Sequence, residues 1–454
     1  MANHSPAMAA TRASDTEGEA FQFPVLPPLI ARHAEDAGFY WSQLDASDRS
    51  TRVDFARFTH FNRLLDAHLE GLRVAGAAGM TPALSALQRW RGAGEAFACT
   101  WLVAAGGAAS GESSLLAELA KHADVMLRGA VSALAWSGAA GLPCIGRWSA
   151  AEAPAAGQVA ALRAAALLQA MGLAALASPL PEYFLSAHAP VRAAACRVAA
   201  TAPQSAELIS LLRAAMADPD MPVRAEAALA LARSPEPRGA TAVLWKCVAD
   251  QSSLHTQATG WLRKQSARRL NRWLRHLAWL APLGHVDLPT LFAHLPPRAG
   301  LTFALHHGDP AHLPQVVSLM ADPATARHAG WVWQTLTGAD LLAHGLVAPE
   351  PEADPDIPAV TEALLDADQG LPLPDTAAVR RWPMALPHGQ RVLMGAPLTA
   401  AQAAEVINSN APQALRHIAA TALGHLDGRL HIHVRAPAAQ QRDILNQLNN
   451  LTPA

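Results

Sequence analysis

The densest group of basic side chains lies in WLRKQSARRLNRWLRHLAWL, residues 261–280, and no Asp or Glu occurs between residues 251 and 286. On a helix, Arg268, Arg272 and Arg275 share one face, and the apolar residues share another. The functional interpretation is a basic stripe that binds an acidic protein or a phosphate backbone. The simpler interpretation is an amphipathic helix with a solvated charged face. The candidate binding residues are Arg263, Lys264, Arg268, Arg269, Arg272 and Arg275.

A second candidate for chemistry is HHGDPAHL, residues 306–313. It contains the only metal-ligand candidates that we single out, His306, His307, Asp309 and His312. Imidazole and carboxylate groups suit zinc or a similar ion. However, the Gly-Asp-Pro turn predicts a loop between helices, no paired motif such as HExxH is present, and twenty histidines make chance clusters common. We therefore predict no bound metal and no cofactor.

Motifs for covalent or phosphate chemistry are absent from the sequence. There is no GxSxG elbow, and none of the four cysteines has a recognisable catalytic context. The glycine-rich segment AAGGAASGESS, residues 104–114, lacks the Lys-Ser/Thr of a P-loop. These observations predict that the protein is not an enzyme.

The elements that must position any site are repeated helices. DPDMPVRAEAALALA, residues 218–232, is echoed 32 residues earlier by HAPVRAAACRVAA, residues 188–200. From Arg224, small or aliphatic residues follow with a helical period, and the same offsets from Arg192 give a matching set. The packed positions of the second copy are Ala227, Ala228, Ala230 and Leu231. Each unit is predicted to be helix, tight turn, helix, and such units bury their apolar faces by stacking.

The segment ADPDMPVRAEAALALA resembles the second helix of HEAT-type repeats, in particular the short form of phycobilisome lyases. In such repeats the Asp of the turn and the Arg after Val hold adjacent units together. The resemblance therefore implies structural roles for Asp218, Arg192 and Arg224. It does not imply bilin attachment, because the similarity lies in the generic repeat helix.

A second resemblance extends over nearly the whole chain. Several blocks, in order, are similar to a family of proteobacterial HEAT-repeat proteins of undefined biochemical activity that recur in type VI secretion gene clusters. This family supplies no catalytic residues, and it implies an accessory role in secretion. The blocks are RHAEDAGFYW (32–41), LDAHLEGLRVAG (65–76), WQTLTGADL (333–341), GLPLPDTAAVRRW (370–382) and GQRVLMGAPLT (389–399).

Composition agrees with stacked helices. The 454 residues are 51% hydrophobic and 16% charged, with a net charge of −2, so no global field attracts nucleic acid or an anionic membrane. We predict an all-α, HEAT-like α-solenoid with a helical N-terminal cap and a small, mainly helical C-terminal region. The predicted parts are a disordered tail (1–22), the cap (23–95), the repeat array (96–345), a Pro-rich acidic linker (346–379) and the C-terminal region (380–454).

The N-terminal residues lack the apolar core of a signal peptide, which predicts a cytoplasmic protein. Two uncharged stretches, residues 129–146 and 164–181, approach the length of a membrane span, but their Ala and Gly content favours buried repeat helices. The predicted function is a non-enzymatic scaffold or adaptor that binds another protein, such as a type VI secretion effector or spike component. The alternatives are an immunity protein against a cognate effector, a nucleic-acid-binding HEAT protein and a metal-dependent enzyme.

Overall fold

The computed structural model describes residues 26–105, 109–350, 368, 370–427 and 432–451. The predicted tail (1–22) and most of the predicted linker (346–379) lie outside the described residues. The described part is almost entirely helical, which confirms the all-α prediction. Its first nine helices are α1 Pro27–Ser47, α2 Phe55–Ala75, α3 Ala77–Trp90, α4 Ala93–Ala104, α5 Glu112–Lys121, α6 Ala123–Trp136, α7 Leu142–Ser149, α8 Ala155–Ala174 and α9 Leu180–Phe184.

The second half begins with regular helices and becomes less regular. The described residues contain one sheet, a hairpin of two short strands, β1 Val392–Leu393 and β2 Ala396–Pro397. Short 3-10 helices lie at Ala109–Gly111, Gly138–Gly141, Pro310–His312 and Leu319–Ala321. The remaining helices are α10 Ala189–Ala199, α11 Ala206–Ala215, α12 Met221–Leu231, α13 Ala240–Gln257, α14 Gly260–Leu280, α15 Leu288–His294, α16 Pro297–His307, α17 Leu313–Ser318, α18 Ala326–Thr337, α19 Thr376–Arg381, α20 Ala400–Asn408, α21 Gln413–Leu426 and α22 Ala438–Leu451.

The repeat helices stack in two layers. Helices α4, α6, α8, α10 and α12 contact one another in succession and form one layer. Helices α7, α9 and α11 pack behind α8, α10 and α12 and form the second layer. This is the arrangement of an α-solenoid, in which each unit buries its apolar face against its neighbours.

Local sequence fixes where the two clearest units begin and end. The Ser205 side chain accepts a hydrogen bond from the Leu208 amide and caps α11, and Asp220 does the same for α12 through the Val223 amide. Pro190 and Pro222 stand in the first turns of α10 and α12, where the missing amide hydrogen costs nothing. The units therefore start where the sequence places a cap and a proline.

Two hydrophobic cores meet at α12. The first contains residues from Ile30 to Ala240, among them Ala227, together with Ala438, and the second extends from Ala225 to Leu445. Helix α12 is buried on nearly all sides because it contributes small residues to both cores. It joins the regular repeats to the irregular second half.

The C-terminal region closes back onto the N-terminal cap. The Gln413 amide donates to the Val53 carbonyl at 2.7 Å, and Asp54 and Pro412 form an antiparallel bridge. The Asn62 side-chain oxygen accepts from the Ala438 amide at 2.5 Å. The N-terminal cap and the C-terminal region therefore pack against each other. The sequence did not predict this contact.

One described helix, α8, is long and apolar enough to cross a membrane by length and composition. The core helix of a folded domain passes the same test. In this protein α8 packs against α6, α7 and α10, and its backbone is kinked at Gln169, where φ is 55°. Its contacts are those of a repeat helix in the solenoid.

Candidate binding surface

The basic segment forms helix α14, and its apolar face is buried as the pattern predicts. Leu270, Trp273, Leu274 and Leu277 are each at most 1% exposed, and Leu280 is half-buried. The basic residues, however, do not form one solvated stripe. Arg263, Lys264, Arg268 and Arg269 are exposed, whereas Arg272 and Arg275 are half-buried. Arg272 contacts the repeat array, and Arg275 contacts the C-terminal region.

The inward position of Arg272 is explained by a carboxylate on α12. Arg272 donates to Glu226 from Nε at 3.0 Å and from Nη2 at 2.9 Å, and Arg197 on α10 donates to the same group at 2.7 Å. Glu226 is 2% exposed. Burial acts to raise its pKa, but the two guanidinium groups outweigh burial and hold the pKa of Glu226 well below the ordinary value. Glu226 is therefore ionised and joins three helices.

More arginines surround this ion pair than one carboxylate can neutralise. Arg163 on α8 lies within electrostatic range of Arg197, Glu226, Arg269 and Arg272. Burial, together with the positive charge of Arg197, lowers the pKa of Arg163 to about 9. Arg233, at the end of α12, repels Arg272 in the same way. Guanidinium groups from α8, α10 and α14 thus gather around the Glu226 carboxylate.

The same surface continues to the closure of the chain. Arg275 lies 2.7 Å from the His417 Nε2 and within electrostatic range of Arg49 and Arg435. Asp45 accepts from Arg128 at 2.7 Å and from Arg435 at 3.2 Å. We call the whole set the inner basic surface: Arg49, Arg128, Arg163, Arg197, Arg233, Arg269, Arg272, Arg275 and Arg435, with the carboxylates Asp45, Asp48 and Glu226.

Several side chains on this surface are accessible to solvent although protein surrounds them. His433 is exposed by surface area, yet burial lowers its pKa to about 3. His276 and His417 are half-buried, and burial lowers the pKa of each well below the ordinary value. Protein therefore surrounds these side chains, while part of their surface stays in contact with water.

The repeat residues form a separate contact at the turns. Arg192 on α10 donates to Asp218 from Nε at 2.8 Å and from Nη2 at 3.0 Å, which joins one unit to the turn of the next. Arg224 donates to the Asp218 and Pro219 carbonyls of its own unit and also contacts the Cys247 side chain on α13. Ala227 and Leu231 are completely buried.

The structure brings three of the four metal-ligand candidates together. Ligand atoms of His307, Asp309 and His312 lie within 4.8 Å of one another, while His306 lies outside this group, within electrostatic range of Arg275 and His417. The predicted loop is wrong for His306 and His307, because both lie in the last turn of α16, which Gly308 ends with φ of 68°. All four side chains are buried.

The contacts of His307, Asp309 and His312 are consistent with two different arrangements. One is a buried hydrogen-bonded histidine pair, and the other is a cation site. The His312 Nε2 and His307 Nδ1 atoms are 2.9 Å apart in a hydrogen bond, and the His307 ring stacks on Phe303. Burial lowers the pKa of His307 to about 4, so the ring is neutral at pH 7 and able to ligate or to hydrogen-bond. Arg391 donates to the His307 carbonyl at 2.5 Å, which places a positive charge beside the cluster.

The four cysteines are buried and free. Burial raises the pKa of the Cys144 thiol to about 12 and that of Cys99 and Cys196 further. A thiol is nucleophilic as the thiolate, so these groups are inert fillers of the core.

The stacked helices define an α-solenoid, and the charged cluster around Glu226 lies where α8, α10, α12 and α14 meet. Within the solenoid, residues 177–260 match the family model described as HEAT repeats, which covers α9 to α13. This segment is therefore similar to HEAT repeats, and such repeats commonly mediate protein–protein interaction. No curated protein and no solved structure matches the chain.

Sequence reasoning missed Arg163, Arg197 and Glu226. Each is a single charged residue inside a run of small or aliphatic residues, as in VAALRAAALL and RAEAALALA. A charge on an otherwise apolar repeat helix is rarely buried without a partner, so its isolation could have indicated a buried ionic contact.

Proposed function

We propose that the protein is a non-enzymatic scaffold that binds another protein on its concave face. The observation that carries this proposal is the inner basic surface, which is contributed by α1, α6, α8, α10, α12 and α14 and by residues near Arg435. A surface built from many stacked helices and lined by water-accessible charged groups suits a macromolecular ligand. The HEAT repeats support a protein ligand.

We further propose that the partner is an effector or spike component of type VI secretion, and that the protein acts as its adaptor in the cytoplasm. This finer proposal is supported by the resemblance of ordered sequence blocks from residues 32–41 to 389–399. An immunity protein against a cognate effector is the alternative, and it would use the same face to cover a toxin.

The proposal is tested with defined proteins. The full chain is mixed with purified effector and spike proteins encoded beside its gene, and complexes are measured by size-exclusion chromatography with light scattering. We expect a stoichiometric complex with one of them. Absence of a complex with every secretion protein would remove the adaptor role.

Two further measurements separate the remaining functions. Protection of growth when the cognate effector is expressed would favour the immunity role over the adaptor role. Stoichiometric zinc or another transition metal that survives dialysis, and that is lost in a His307→Ala, His312→Ala variant, would overturn the non-enzymatic scaffold in favour of a metal-dependent protein.

A further inference from the structure

The inner basic surface carries an excess of positive charge that the rest of the protein lacks. Its nine arginines face three carboxylates, while the whole chain has a net charge of −2. Every cation in the set is an arginine. The guanidinium group binds carboxylates and phosphates in a planar, two-pronged geometry that an ammonium group cannot provide.

Some of this hydrogen-bonding capacity has no acceptor within the described residues. Arg163 makes no hydrogen bond or ion pair there, and its Nε atom is buried. The Arg197 Nε atom is also buried without an acceptor, although its Nη2 atom binds Glu226. A buried donor without an acceptor lowers stability, and a bound anion would satisfy it.

Glu226 shows what kind of group the surface holds. Its carboxylate is gripped by both prongs of Arg272 and by Arg197. Arg163 and Arg269 approach the same pair from α8 and α14, so a ligand between them would meet guanidinium groups from two sides. The Glu226 carboxylate already binds Arg197 and Arg272, and the neighbouring Arg163 and Arg269 can bind carboxylates of a ligand.

We propose that the inner basic surface binds an acidic segment of the partner protein, with Arg163 and Arg269 as the main contacts beside the Glu226 ion pair. This inference rests on the proposed function and names the chemistry of the partner. Two observations favour a peptide over nucleic acid. The surface already holds one glutamate carboxylate between Arg197 and Arg272, which is the contact that an acidic side chain of a partner would repeat. The whole chain has a net charge of −2, so it lacks the broad positive field that attracts a phosphate backbone.

The proposal is tested by fluorescence anisotropy with the full chain and a labelled oligoglutamate peptide. An oligolysine peptide and a single-stranded oligonucleotide of the same length serve as comparison ligands. We expect saturable binding of oligoglutamate that weakens with salt, no binding of oligolysine and weaker binding of the oligonucleotide. No binding of oligoglutamate, or tighter binding of the oligonucleotide, would overturn the proposal.

Variants locate the site. The double variant Arg163→Gln, Arg269→Gln removes no hydrogen bond or ion pair of the described structure, and we expect oligoglutamate affinity to fall about tenfold or more. The matched control Arg380→Gln, Arg381→Gln removes two charges from α19, outside the inner basic surface, and should change affinity less than about twofold. Equal losses in both variants would show general charge attraction and would refute the assignment.

Two checks keep the result interpretable. Arg163→Lys retains charge without the planar fork, and an intermediate affinity is expected, whereas wild-type affinity would contradict recognition by guanidinium. If a secretion protein binds the chain equally well after Arg163→Gln, Arg269→Gln, the surface assignment fails and the proposed function stands. If oligoglutamate binds but no secretion protein does, the proposed function fails and the surface assignment stands.

Discussion

Two ionic contacts on the same repeat units differ in how they balance charge. At the turns, one arginine meets one carboxylate, and Arg192 binds Asp218 through two hydrogen bonds. On the inner face, Glu226 meets Arg197 and Arg272 directly, and Arg163 and Arg269 stand close by. The turn contact is complete in itself and joins neighbouring units. The inner contact has more arginines than carboxylates, so it retains a net positive charge, as is expected of a surface that binds an acidic ligand.

Helix α12 shows the same difference within two adjacent residues. Glu226 is buried and ionised, since two arginines surround it. Ala227 is completely buried in the first hydrophobic core, which is built from apolar side chains. The comparison predicts that a carboxylate at position 227 lowers the stability of the fold, whereas the carboxylate at position 226 contributes to it.

The largest effect is expected for Ala227→Asp. An unpaired carboxylate in the core should lower the free energy of unfolding by about 4 kcal/mol. Urea unfolding followed by circular dichroism measures the change. Ala214→Asp, at an exposed position of α11, is the matched control and should cost less than about 1 kcal/mol. Equal stability of the two variants would show that α12 does not pack through Ala227.

A smaller loss is expected for Glu226→Gln. The substitution keeps the shape and leaves Arg197 and Arg272 without a counter-charge, which should cost about 2 to 3 kcal/mol. The loss is below that of a fully buried pair, because the Arg272 side chain is 38% exposed and water can screen it. Sulfate should restore part of the stability by replacing the carboxylate, and calorimetry with and without sulfate measures the recovery. No destabilisation would show that the inner contact is not a stabilising ion pair.

The pH dependence of this difference has a defined sign. The pKa of Glu226 is lower in the folded protein than in the unfolded chain, so its contribution is present above the ordinary glutamate value of 4.5. It is lost as the pH falls below that value toward the folded pKa. The gap in unfolding free energy between the wild type and Glu226→Gln should therefore be constant from pH 6 to pH 8, near the neutral range, and shrink below about pH 4.5. A gap that grows in acid would contradict the assigned ionisation.

The regular part of the fold was predictable because its signals are local. The helical period after Arg192 and Arg224, the caps and the prolines all lie within one unit, and they predicted α10, α12 and the solenoid. The apolar face of α14 was predictable for the same reason. The match to HEAT repeats covers this regular segment.

The inner basic surface depends on contacts between distant parts of the chain. Arg272 binds a carboxylate 46 residues away, and Arg275 lies beside a histidine 142 residues away. No local pattern fixes the side of α14 that faces the array, so its arginines resembled a solvated stripe. The closure between Val53 and Gln413 also depends on tertiary placement, and it brings Arg435 to the same surface.

The smallest effect is expected at the turn, for Asp218→Asn. Burial acts to raise the pKa of Asp218, but Arg192 and the Asp220 amide outweigh it and keep the carboxylate ionised. The amide can still accept one hydrogen bond, so the loss should be about 1 to 2 kcal/mol, as for a partly buried charged contact. Asp220→Asn is the matched control, because Asn caps a helix as well as Asp and the cost should stay below about 0.5 kcal/mol. Binding of oligoglutamate should be unchanged in both variants, since neither alters the inner basic surface. A turn variant that weakened oligoglutamate binding without unfolding would show that the two contacts are coupled, and the division into a joining contact and a binding surface would then be wrong.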